Sequence, residues 1–384
     1  MITYGKQSID NKDIKSVIKV LRGDLITQGP KVDEFESVLK KKFGAKYSCA
    51  VSSGTAALHL TALALGWQSG DVVITSPITF LASANAITYT GSIPDFVDID
   101  PHKYTIDSNK LEDKIKKYRN RGKKIKAVIG IDYAGLPCDW MALRELANKY
   151  KFRLVNDNCH ALGASYLGNS KYAIQYADVV THSYHAVKHI TTGEGGSILT
   201  NDKSIDNKVR LLRSHGMNKN INIKQKGSWY YEMHEVGFNY RITDLQCALG
   251  ISQINKLDNF IEKRRKISRK YDKAFNRDRR FIIPKVFKNA QHAYHLYPLL
   301  IKFNQLKITK NDFFNKMRNK DIILQVHYIP VHTQPFYKKN FDFKVGDFPL
   351  AENFYKNEVS IPIHVKLTEK EINFIIKEIK KNLV

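Results

Sequence analysis

From residue 48 onward, short apolar runs rich in β-branched residues alternate with stretches whose apolar positions recur at helical spacing. Residues 48–51 lead into Ser52-Ser-Gly-Thr55 and an Ala/Leu-rich helix, and residues 71–75 lead into Ser76-Pro77 and a helix from about Phe80. The runs 93–97, 125–131, 152–155, 178–182 and 196–200 have the same strand character. Near-continuous apolar strands separated by helices predict an α/β domain on a mostly parallel, seven-stranded sheet covered on both faces. Ligands of such sheets collect beyond the carboxyl ends of the strands.

Past Arg241 the pattern changes. Apolar positions at helical spacing predict one long charged helix over 243–275, carrying the basic cluster Lys263-Arg-Arg-Lys266. Strands are expected at 295–303 and 322–327, and helices at 310–320 and 368–381. The division this predicts is a large domain over 1–240 and a smaller α/β domain over 241–384 that includes the connecting helix.

Composition narrows the class. The chain has 384 residues, 43% hydrophobic and 26% charged, which fits a folded globular protein and excludes disordered or low-complexity chains. Its formal charge of +25 brings nucleic acid, acidic membrane surfaces and phosphorylated small molecules into consideration. Cys49, Cys138, Cys159 and Cys247 form no CxxC pair, so no metal site is expected and the thiols read as reduced. The start lacks a leader pattern and no apolar run is long enough to span a bilayer, so a cytoplasmic protein with no membrane partner is expected.

Three segments at strand ends carry candidate chemistry. Ser52-Ser-Gly54-Thr55-Ala-Ala places a glycine and hydroxyls at a helix start, where free N–H groups favour an anion such as phosphate; taken alone, a plain helix cap is the commoner explanation of such a segment. In Leu154-Val-Asn-Asp157-Asn-Cys-His160, a carboxylate at a strand end can hold a protonated ring nitrogen while the histidine covers the same ring; Asp157 is also compatible with simple capping. In Ser183-Tyr-His-Ala-Val-Lys188-His-Ile-Thr-Thr-Gly193-Glu-Gly-Gly196, one lysine sits between a strand and a Gly-rich turn. A lysine held there can form a Schiff base with a carbonyl, whereas the alternative is a snorkelling surface lysine. Together, anion cradle, pyridinium partner and aldehyde anchor make the set that pyridoxal 5′-phosphate (PLP) requires.

With these segments, Thr75-Ser-Pro-Ile-Thr-Phe80-Leu-Ala-Ser-Ala-Asn85, Arg213-Ser-His-Gly216, Gly237-Phe-Asn239-Tyr-Arg241 and Gln325-Val-His-Tyr328-Ile-Pro-Val-His332, the chain resembles the DegT/DnrJ/EryC1/StrS sugar aminotransferases, fold-type I PLP enzymes, over almost its whole length. The resemblance implies that Lys188 anchors the cofactor and moves the reaction's proton, and that Asp157 keeps the pyridine nitrogen protonated. It implies further that Phe80 and His160 flank the ring, and that Gly54, Thr55 and Ser183 bind the phosphate. Asn239 would reach the phosphate region of a neighbouring subunit, which implies a homodimer with shared active sites. For the sugar nucleotide it points to Tyr4, to Asp24, Leu25, Ile26 and Thr27, and to Gln325, Val326, His327 and Tyr328. The last three groups also have ordinary structural roles open to them, as packing aromatic, turn residue and strand histidine.

Within the family, the same segments are similar to those of transaminases of pseudaminic acid biosynthesis. That implies amino transfer from L-glutamate to C4 of a UDP-linked 4-keto-6-deoxy-N-acetylhexosamine, UDP-2-acetamido-2,6-dideoxy-β-L-arabino-hexos-4-ulose. A GDP- or dTDP-4-ketosugar is the alternative substrate. The alternative from another class is a basic nucleic-acid-binding protein with a degenerate PLP site; no finger spacing or RNP-type motif supports it, and no nucleic-acid partner is expected. Two departures stand out. Asn156-Asp157-Asn158 replaces the usual Glu-Asp-Ala, which removes a negative charge beside the pyridinium partner, and His182-Ser183-Tyr184 replaces Phe-Ser-Phe. Relatives that carry histidine in place of the lysine are dehydrases, so Lys188 points to a transaminase.

Overall fold

The computed structural model describes residues 1–218, 227–285 and 287–383. Its centre is a seven-stranded sheet formed by β1 (Tyr47–Val51), β2 (Val72–Thr75), β3 (Ile93–Phe96), β4 (Ile125–Ile131), β5 (Arg153–Asp157), β6 (Val179–Ser183) and β7 (Gly196–Thr200). The spatial order is β1-β7-β6-β5-β4-β2-β3. All pairings among β2 to β6 are parallel, and β7 runs antiparallel to both β1 and β6.

Period-two alternation explains why both faces are covered. Ile74, Val128 and Leu154 point into one core with Phe35, Trp140 and Leu143, whereas Val73, Ala127, Ile129 and Val155 point into another with Phe96 and Tyr133. A third core, around Tyr271, Tyr297, Phe313 and Ile375, packs beneath a three-stranded antiparallel sheet of Phe281–Ile282, Tyr297–Ile301 and Glu358–Ile361. The N-terminal strand Ile2–Thr3 pairs in parallel with Ile322–Ile323, so the start of the chain lies beside its C-terminal part. Among the described residues, no helix is long and apolar enough to cross a membrane, and all four cysteines are free.

Two expected elements differ. The single helix over 243–275 is two, Asp244–Ile254 and Leu257–Phe275. The break at Asn255 and Lys256 has an identifiable cause: Lys256 Nζ is drawn 2.7 Å from both Asp10 and Asp13 carboxylates, and Gln253 Nε2 donates to Ser8 O and Asp13. These long-range bonds pin the junction to the N-terminal segment while Ile254 and Leu257 stay buried. The expected strand over 322–327 pairs only at Ile322–Ile323; beyond it, the chain bonds to Ser360 and the Glu358 side chain instead of a continuous ladder.

Candidate active site

The carboxyl ends of β5 and β6 and the helix start after β1 converge on a cavity of about 610 Å³, within the ~300–1,000 Å³ usual for small-molecule sites. Asp157 ends β5. Its Oδ2 accepts the Ser83 hydroxyl at 2.7 Å and its Oδ1 accepts the Cys159 N–H at 3.2 Å. Ser83 lies on the helix Leu81–Thr88, and Thr79 Oγ1 is 2.8 Å from its hydroxyl.

Opposite, the helix Gly54–Ala64 begins at the cavity. Ser53 caps it: its hydroxyl takes the Ala56 N–H and its carbonyl takes that of Ala57, which leaves the N–H groups of Gly54 and Thr55 for a ligand at the helix dipole's positive end. The Ser183 hydroxyl stands beside them. A Cβ on Gly54 would lie 2.9 Å from Ser183 Cβ, so the cradle is open only because residue 54 is glycine. Gly54→Ala should weaken PLP binding about tenfold or more, since one lost charge-assisted hydrogen bond is worth ~1.5–3 kcal/mol. Titration of the apoenzyme with PLP checks this, and an unchanged Kd would contradict it.

Lys188 follows β6 in a turn closed by its N–H on His185 O at 2.9 Å. Thr191 and Thr192 both bond back to Tyr184 O, and this returns the chain through the Gly-rich segment into β7. Burial lowers the Lys188 pKa from the ordinary lysine value, with Cys159 and Asp157 opposing the shift. A neutral amine is thereby more accessible.

His160 Nδ1 accepts the Ala134 N–H at 3.3 Å, so Nε2 carries the proton and donates to Tyr328 Oη at 3.1 Å. Phe80, 57% exposed, faces the cavity with its ring 5.9 Å from that of Tyr328. Burial and the neighbouring Lys188 hold His160 and His295 well below the usual imidazole range. Burial likewise brings His182, His292 and His327 to about 3.

These depressed values have a sign for stability. In the unfolded chain the same imidazoles titrate near ~6.5, so as pH falls the unfolded state takes up protons first and stability is lost from about pH 6.5 downward. Each such histidine contributes about 1.4 kcal/mol per pH unit within the window. The urea midpoint should therefore drop steadily between about pH 7 and about pH 5, before most carboxylates titrate; a flat midpoint would contradict the burial of these rings as neutral groups.

The cavity thus gathers Tyr4, Gly54, Thr55, Phe80, Asp157, His160, Ser183, Lys188, Gln325, Val326, His327 and Tyr328. It does not gather the remaining residues singled out from the sequence. Asp24, Leu25, Ile26 and Thr27 are exposed and fastened elsewhere: Ile26 O accepts the Asp244 N–H at 3.0 Å, and Thr27 bridges Thr243. Asn239 is exposed and bridges Ser214. Sequence reasoning gave no role to Ser83, His295 or Glu194, which also line the cavity. Ser83 stood in a quoted motif, but its partner is 74 positions away.

A strand-end carboxylate, free helix N–H groups with a nearby hydroxyl, and a lysine of lowered pKa in one cavity fit PLP. The model for the DegT/DnrJ/EryC1/StrS aminotransferase family matches residues 7–380. The chain belongs to this family. A Campylobacter jejuni relative, a UDP-4-amino-4,6-dideoxy-N-acetyl-beta-L-altrosamine transaminase, is 40% identical over 377 residues, which is 98% of this chain and 96% of the relative. The solved structure of Helicobacter pylori PseC, an aminotransferase involved in the biosynthesis of pseudoaminic acid, superposes with a TM-score of 0.92 at 31% identity, covering 100% of this chain and 99% of that one. A Streptococcus pneumoniae protein described as a sugar aminotransferase, in its PLP form, gives 0.89 at 28% identity over 99% of both chains. The chain is accordingly a PLP-dependent sugar aminotransferase with the fold-type I architecture.

Proposed function

We propose that this aminotransferase moves the amino group of L-glutamate to C4 of a UDP-linked 4-keto-6-deoxy-N-acetylhexosamine, as in pseudaminic acid biosynthesis. The observation that carries the substrate is the near full-length similarity to the altrosamine transaminase, together with a cavity that brings Tyr4 beside residues 325–328. Residues 1–240 make up the cofactor domain in this scheme and 241–384 the smaller one. The four free cysteines support a reducing, cytoplasmic setting.

Bound PLP supplies an electron sink for breaking the C–H bond next to the transferred nitrogen. Asp157 would hold the pyridine N–H, with its carboxylate kept in place by Ser83 and Cys159. The N–H groups of Gly54 and Thr55 and the Ser183 hydroxyl would take the phosphate, and Phe80 and His160 would confine the ring. Lys188 Nζ would be the anchor and, once released, would take the proton from the donor carbon and deliver one to sugar C4. Burial lowers the cost of its neutral, proton-accepting form.

Asp24 to Thr27 and Asn239 lie outside the cavity of their own chain, and Leu25, Ile26, Trp229 and Val236 are exposed apolar side chains. A homodimer in which these segments complete the partner's site accounts for both facts. Turnover of UDP-, GDP- and dTDP-linked 4-ketosugars tests the substrate. The UDP compound should lead in kcat/KM by at least about tenfold, equivalent to ~1.4 kcal/mol; a GDP or dTDP compound in that position would overturn the assignment.

A further inference from the structure

Behind the cavity wall at residues 325–328, a buried chain of hydrogen bonds joins a carboxylate to an imidazole. Glu358 and Ser360, two apart on the strand Glu358–Ile361, share one side of it and are fully buried. Glu358 Oε2 accepts the His327 backbone N–H at 3.0 Å, and Oε1 accepts the Ser360 hydroxyl at 2.5 Å. Ser360 Oγ is in turn 2.8 Å from His327 Nδ1. The frame around the ring is fixed: Ser360 and Gln325 exchange two backbone hydrogen bonds, and the Tyr133 hydroxyl donates to His327 O at 2.5 Å.

With Glu358 ionised, counting donors places the imidazole proton. A backbone N–H can only donate, and a serine hydroxyl has one hydrogen. Burial raises the Glu358 pKa to about 7 even with Ser360, Lys310 and the His327 N–H pulling it down, so the carboxylate is the form that prevails at alkaline pH. With both carboxylate oxygens accepting, the Ser360 hydrogen is spent on Glu358, and Ser360 Oγ can only accept from His327. Nδ1 therefore carries the proton, and Nε2 is left as a bare acceptor. His160 has the opposite tautomer, because its Nδ1 accepts the Ala134 N–H.

We propose that Glu358 and Ser360 are positioning residues that hold His327 in its Nδ1–H tautomer, so that Nε2 offers a neutral hydrogen-bond acceptor to a hydroxyl or amide N–H of the sugar nucleotide. This rests on the sugar-nucleotide substrate proposed above. Such an acceptor separates the two substrates that share the cavity. A sugar hydroxyl or acetamido N–H can donate to it; the amino donor's carboxylates cannot, and its one donating group, the α-amino nitrogen, is engaged in the transfer itself.

Glu358→Gln provides the decisive variant. Its amide must turn the carbonyl toward the His327 N–H and its NH₂ toward Ser360, which frees the Ser360 hydroxyl to donate to Nδ1 and moves the imidazole proton to Nε2. Nitrogen-15 NMR of histidine-labelled PLP holoenzyme at alkaline pH, with the His327 signals assigned by their loss in His327→Gln, should show Nδ1–H in the wild type and in Ser360→Thr. Glu358→Gln should show Nε2–H, with KM for the UDP-4-ketosugar raised about tenfold and KM for glutamate not raised. A wild-type signal from protonated Nε2, an unchanged tautomer in Glu358→Gln, or an equal rise in both KM values would overturn the proposal. If Glu358→Gln does not fold, the wild-type and Ser360→Thr spectra still decide the tautomer. Because the tautomer is read without substrate, a wild-type enzyme that shows Nδ1–H but does not aminate the UDP-4-ketosugar identifies failure of the substrate assignment separately.

Discussion

Replacing Lys188 with alanine should abolish turnover and remove the visible absorbance band of lysine-bound PLP. In the mechanism proposed above two functions would be lost together: the amine that anchors the cofactor, and the base that moves the proton at the reacting carbon. The buried imidazoles and thiol that share the cavity are poor substitutes. His160, His295 and His327 are neutral and poor bases, each pushed below the ordinary imidazole value by burial, and Cys159 is raised well above the usual thiol range. The expected loss is at least about a thousandfold, or ~4 kcal/mol of barrier at ~1.36 kcal/mol per tenfold. A Lys188→Ala enzyme with near wild-type amination would remove the lysine from the mechanism.

Asp157→Asn should be the next most damaging change. The amide is nearly the same size: its oxygen can keep the Cys159 N–H, and its NH₂ can donate to Ser83 once that hydroxyl turns toward Thr79, so the cavity keeps its shape. What disappears is the negative charge that a pyridinium N–H requires. A loss of at least about a hundredfold in kcat is expected, or ~2.7 kcal/mol, with a smaller change in thermal stability. Comparable losses in kcat and folding stability would instead make Asp157 a structural cap.

The central sheet was legible because each buried strand is a contiguous apolar run, and that Gly54, Asp157, Ser183 and Lys188 share a cavity was legible because they fall where those runs stop. What escaped depends on partners distant in the chain. The helix break at Asn255 and Lys256 is enforced by Asp10 and Asp13, more than 240 positions earlier, and helical periodicity continues across it. Ser83 reaches the site only by meeting Asp157, and His295 by placing its tilted ring 4.4 Å from that of His160. The Asn156-Asp157-Asn158 departure has a physical account that the sequence did not offer. Both asparagine amides donate to Asp132 Oδ2, at 3.2 and 2.8 Å, in a buried cluster with Trp140 and Tyr172. A glutamate at 156 would set a second carboxylate against Asp132, which burial already pushes up to about 6.

The most direct measurement follows the nitrogen itself. With PLP holoenzyme, nitrogen-15-labelled L-glutamate and the UDP-4-ketosugar, NMR of the product should show the label bonded to sugar C4, with 2-oxoglutarate formed in equal amount. Label that stays in glutamate, or a sugar that leaves with its ketone intact, would contradict amino transfer at this site.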